Sequence, residues 1–201
     1  MKILSTLRAA LLGSMFAPTA RFVGICRTRD SYTAFGYRMG AGFPGDVNRT
    51  HPASIEPTLN DPDDPITFYG EACVVEPTNN SVRKVAAGDG AITSLYGVSV
   101  RPYPIQQQSG GMSASFGSAA APTDQPLDVL KSGYIMVLVN GTVRKGDPVH
   151  VWIAASAGNH VQGGFEAAAD GGNTVLLANP NKNYFNGPAD ANGVTEIAFN
   201  V

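Results

Sequence analysis

The feature that most constrains this chain is its punctuation. From Ile66 onward, short apolar or alternating runs (ITFY, ACVV, VRKVAA, ITSLYGVSVR, GYIMVLVN, PVHVWIA, NTVLLA, VTEIAFN) are separated by TNN, GDG, NGT, KGD, DGGN and ANG. Gly and Asn tolerate the positive φ that tight turns need, so each separator is a place where the chain reverses. Runs this short suit strands and not helices. The pattern predicts an all-β body, an antiparallel β-sandwich or small barrel of jelly-roll type. YIMVLV (134–139) is apolar on both faces and is expected to be the central strand. The 201 residues are 43% hydrophobic, enough for one core, and only 15% charged.

The opening MKILSTLRAALLGSMFAPTA has the superficial parts of a secretory leader, but Arg8 interrupts its apolar run. At helical period Ile3, Leu4, Leu7, Leu11 and Met15 share one face, which predicts a short amphipathic helix over residues 1–16. From Arg21 to Thr50 no period holds, and this stretch reads as an extended arm. The sequence thus divides into a helix and arm (1–50) and a β-rich body (51–201) with a long low-complexity loop over 106–126. No apolar run is long enough to span a bilayer, so no membrane partner is expected.

Charge is unevenly placed. Residues 1–50 hold seven of the 14 basic side chains (Lys2, Arg8, Arg21, Arg27, Arg29, Arg38, Arg49) and two of the 16 acidic ones (Asp30, Asp46). That leaves about +5 on the arm and about −7 on the body. The arginines are spread out and lack interleaved stacking aromatics, so an acidic protein surface fits them better than nucleic acid.

Several motifs suggest chemistry without completing it. Gly40-Ala-Gly-Phe-Pro-Gly45 matches G-x-G-x-x-G, but Pro44 interrupts the loop and no helical period follows over 46–52 to place a phosphate at a helix N-terminus. Asn60-Asp-Pro-Asp-Asp-Pro65 gathers three carboxylates that could attract calcium, yet its prolines make it a turn first. His51, His150 and His160 show no ligand spacing, and the GMSAS segment lacks the second glycine of a nucleophile elbow. Cys26 and Cys73 read as buried free thiols. No cofactor, metal or catalytic set is expected, and Trp152 reads as core.

The ordered blocks GFPGDVNR (42–49), AGDG (87–90), YGVSVRPYPIQ (96–106), DVLKSGYIMVLVNG (128–141), GGFEAAADGGNT (163–174) and YFNGPADANGVTEIAFN (184–200) resemble the structural cement proteins of tailed bacteriophages. The resemblance implies a capsid-decorating protein on the outer surface of the virion that bridges major capsid protein subunits, with other copies of itself as further partners in dimers or trimers. Its interface is expected to include Ile3, Leu4, Leu7, Arg8, Leu11, Met15, Arg21, Arg27, Arg29 and Arg38, with Asp46 or Arg49 fixing the arm where it leaves the body. A carbohydrate-binding β-sandwich using Tyr96, Tyr103 and Trp152 is the competing expectation, and a hydrolase using two carboxylates across a cleft is a third.

Overall fold

The computed structural model describes residues 41–89, 95–102 and 121–201. The expected helix, the arm before Ala41 and most of the 106–126 loop lie outside the described residues. Ten strands follow in chain order: β1 (Ser54–Leu59), β2 (Ala72–Val75), β3 (Val82–Lys84), β4 (Gly97–Ser99), β5 (Pro126–Asn140), β6 (His150–Trp152), β7 (Phe165–Glu166), β8 (Thr174–Leu176), β9 (Tyr184–Phe185) and β10 (Val194–Phe199). Two single-turn 3-10 segments are the helical elements among the described residues.

All ten strands join one sheet, and β5 holds it together. Its first half pairs with β1 along one edge and, at Val129 and Leu130, with β4 along the other. Its second half pairs with β10 from Gly133 to Leu138. The last two residues pair with β7. YIMVLV is therefore central, as its two-sided apolar pattern predicts. The β5–β7 pair is parallel, so the sheet is mixed and departs from the purely antiparallel expectation. A parallel pair needs a long crossover, and the 24 residues between Asn140 and Phe165, which carry β6, supply it.

One extra residue in β5 decides what each half buries. Ser54 pairs with Ser132 but Ile55 pairs with Leu130, so Lys131 is passed over as a bulge. Alternation restarts with the opposite phase, because side-chain direction has a period of two. Before the bulge Leu127 and Val129 enter a small core with Ile66, Tyr69, Cys73 and Val82. Leu130 points the other way, and after the bulge Ile135, Val137 and Val139 join it in the larger core with Phe165, Phe185, Phe199 and Ile197. The second half of the first face, Tyr134, Met136 and Leu138, is thereby left for another use.

The bulge is pinned on both sides. The Lys131 ammonium lies 3.2 Å from the centre of the Tyr96 ring, and the Tyr96 hydroxyl donates to Glu56 on β1 at 3.0 Å. Gly133 adopts φ +142°, and a Cβ there would stand 2.7 Å from the carbonyl oxygen of Pro52. Replacing Gly133 by Ala is expected to cost about 1–3 kcal/mol through positive φ and the backbone clash together. Thermal unfolding checks this: the variant's midpoint falls by several degrees, whereas an unchanged midpoint contradicts the role given to Gly133.

Candidate functional site

The second half of β5 receives the end of the arm along its edge away from β10, with Arg49 folded over the Tyr134 ring. In the 42–49 stretch, Asp46 closes a turn by accepting the Phe43 N–H on its carboxylate at 3.1 Å, while its own N–H donates to the Phe43 carbonyl at 3.0 Å. The turn is then stitched to the sheet: the Gly45 N–H donates to Met136 O (2.7 Å), the Met136 N–H to Asp46 O (2.9 Å) and the Arg101 N–H to Gly45 O (2.9 Å). Gly45 sits at φ +89°, and a Cβ there would meet that of Tyr69 at 2.7 Å. Only glycine allows this approach.

Arg49 completes the attachment. Its Nε donates to Glu196 Oε1 on β10 at 3.0 Å, its Nη2 reaches Oε2, and its guanidinium lies 4.0 Å from the centre of the Tyr134 ring. Glu196 also accepts from Asn186. The fork-to-fork geometry fixes direction as well as position. Asp46 and Arg49 thus both bind within the body. Ile3, Leu4, Leu7, Arg8, Leu11, Met15, Arg21, Arg27, Arg29 and Arg38 lie outside the described residues.

Beside this root a cleft of about 480 Å³ opens, lined among others by Pro44, Phe68, Glu71, Leu138, Val161 and Glu166. Phe68 and Leu138 are about half exposed, at 52% and 48%, so the cleft has apolar residues open to solvent. Two carboxylates lie in its wall. Glu166 accepts from Asn140 Nδ2 (3.0 Å) and pairs with His160 Nδ1 (2.9 Å), whose ring stacks on Trp152 at 4.1 Å. Glu71 is 3% exposed; its Oε2 accepts the Thr67 N–H at 3.3 Å, whereas Oε1 is buried without a partner. Burial pushes the Glu71 carboxyl up to about 7, against the opposing pull of the Phe68 and Thr67 N–H groups and of Lys84.

The remaining motifs resolve into structure. Asp61 is buried in its turn and accepts from Ser81 Oγ, Asn79 Nδ2 and the N–H groups of Asp63 and Asp64, which together hold its carboxyl well below the usual range. Those bonds fill its oxygens, and no group of three or more metal ligands occurs among the described residues. Cys73 is a free buried thiol, pushed up to about 12 by desolvation. Trp152 is 4% exposed and so unavailable as a sugar platform. The 3-10 turns and strands leave no helix N-terminus after Gly45 among the described residues to receive a phosphate.

Nothing in the sequence singles out Glu71 or the cleft. Glu71 lies between a Gly and an Ala, and nothing in that context distinguishes a buried carboxylate from a solvated one. Arg49 was visible as a charge in a Gly-rich segment, but its partner stands 147 residues away. Replacing Arg49 by Met keeps the stem over Tyr134 and removes both charge-assisted bonds. With Arg49 itself 43% exposed, the expected cost is about 1 kcal/mol. Chemical denaturation reads this directly, and no loss at low salt contradicts the attachment.

No curated protein matches the sequence. A family model, that of the XM1 gp53 minor capsid protein, matches residues 32–199, which takes in the arm root, the bulged central strand and the cleft. On a match over most of its length, the chain belongs to the XM1 gp53 minor capsid protein family.

Proposed function

We propose that this protein is a non-enzymatic cement protein of a phage head. It binds the outer surface of the assembled shell and bridges neighbouring major capsid protein subunits. The observation that carries this reading is the stitched arm root. The 43–49 segment is held to the body by three backbone hydrogen bonds and a bidentate ion pair, an anchorage suited to spreading tension from an attached arm into the sheet. A loosely hinged segment would leave that load on a single stretch of chain, whereas a stitched root shares it with the sheet and fixes the direction of exit. Family membership supports a structural role in the capsid.

The mechanism is multivalency. Arm and body each make a modest contact with a different subunit, and the second contact forms at high effective concentration once the first is made. In this reading the N-terminal segment contributes apolar contact through Ile3, Leu4, Leu7, Leu11 and Met15, and Arg8, Arg21, Arg27, Arg29 and Arg38 pair with acidic groups of the shell. The DNA inside takes no part, so empty and filled shells are bound alike. A sugar-binding role has less support, because Trp152 is buried and Tyr96 is engaged by Lys131 and Glu56.

A ligand that binds the assembled shell and not its separated subunits shifts the equilibrium toward assembly. Particles carrying this protein at full occupancy should therefore release packaged DNA at a higher temperature than particles without it. A dye-release thermal ramp measures the difference, and identical release temperatures contradict the cement role.

A further inference from the structure

The cleft beside the arm root has a feature that stability alone does not explain. A buried carboxylate oxygen without a close hydrogen-bond partner is costly, because it has lost water and the pull of nearby N–H groups repays only part of that loss. Glu71 Oε1 is such an atom, and Glu71 lines a cavity whose volume falls in the range of ligand pockets. From this we infer that the cleft is a receptor for a lysine side chain presented by a protein of the shell, with the ammonium bound to Glu71.

The chemistry selects lysine. A compact ammonium is satisfied by one open oxygen, whereas a bidentate guanidinium fork is matched best by two, and Glu71 Oε2 already shares its lone pairs with the Thr67 N–H. The apolar walls, Phe68, Leu138 and Val161 among them, suit the four-carbon stem, which buries along hydrocarbon while its head seeks charge. The second carboxylate, Glu166, is held by Asn140 and His160 and adds negative potential without needing a ligand. Arg101 also lines the cleft, but its guanidinium is drawn over the Phe43 ring, 4.6 Å from the centroid. An ammonium in the cleft would also offset the desolvation that raises Glu71 toward neutrality.

The inference rests on the cement reading for the source of the lysine, but it can be tested apart from it. The probe is N-acetyl-Ala-Lys-Ala-amide, titrated to millimolar concentration into the full-length protein and followed by amide NMR shifts. Two counterparts replace its lysine with norleucine and with glutamate. Saturable shifts centred on Phe68, Glu71 and Leu138 are expected for the lysine peptide, with binding at least tenfold weaker for the norleucine peptide and for the Glu71→Gln variant. Leu138→Lys, which offers the cleft a lysine of its own from an exposed position, should block the peptide as well and covers the case in which Glu71→Gln misfolds. Equal binding of lysine and norleucine peptides, preference for the glutamate peptide, or no saturable shift would each overturn the inference. Sedimentation with undecorated shells separates the two readings: failure of the wild-type protein to bind shells counts against the cement role, while the peptide titration still decides the cleft.

Discussion

The arrangement depends on the single unpaired residue in β5. Without the bulge at Lys131, Ile135, Val137 and Val139 would face away from Leu130, and the larger core would lose the strand that crosses it. The cost of slipping the register is the exposure of three large apolar side chains, each worth about 1.5–3 kcal/mol when buried. The cation–π contact of Lys131 with Tyr96 and the close approach of Gly133 to the Pro52 carbonyl hold the bulge where it is. The same phase change turns Tyr134, Met136 and Leu138 onto the face that the chain root and the cleft occupy. The two cores and the seat of the arm root are thus set by one local irregularity.

The route from that irregularity to function runs through backbone chemistry. Met136 offers both its N–H and its carbonyl to the 45–46 segment on the edge away from β10, so the root behaves as a short added strand. Arg49 then ties it to β10, and Gly45 and Gly70 bring two backbones close enough that a Cβ on Gly70 would lie 2.8 Å from Gly45 N. The proposed shell-bridging role needs a load path of this kind, in which tension reaching the root is shared by several bonds of the central sheet. No nucleophile or paired catalytic carboxylates are required for it; Asp46 closes the turn of the root, and Arg49 with Glu196 ties that root to β10.

Much of the fold was legible because its signals are local. Turn formers at fixed places mark the strands, ACVV coincides with β2, and the two-sided apolar run marks the second half of β5. β1 was not expected, because Pro57 breaks the strand pattern of SIEPTL; an edge strand tolerates the missing N–H, and β1 is mostly exposed. ITFY forms no strand, and its Ile66 and Tyr69 serve the small core from a turn. The bulge, the parallel β5–β7 pair and the cleft depend on partners far apart in sequence. Glu71 illustrates the limit: its environment is assembled from residues near positions 44, 70, 100, 138 and 165, and no local pattern encodes that meeting.

The central claim is that arm and body attach to the shell together. Cosedimentation of the protein with shells that lack it, comparing the wild type with a Leu7→Asp, Leu11→Asp double variant, tests that claim most directly. If the two contacts act as one bivalent clamp, the variant keeps a folded body but loses about 10²-fold or more in affinity, the order that linkage of two modest contacts provides. Equal affinity of the two proteins for the shell would contradict the account.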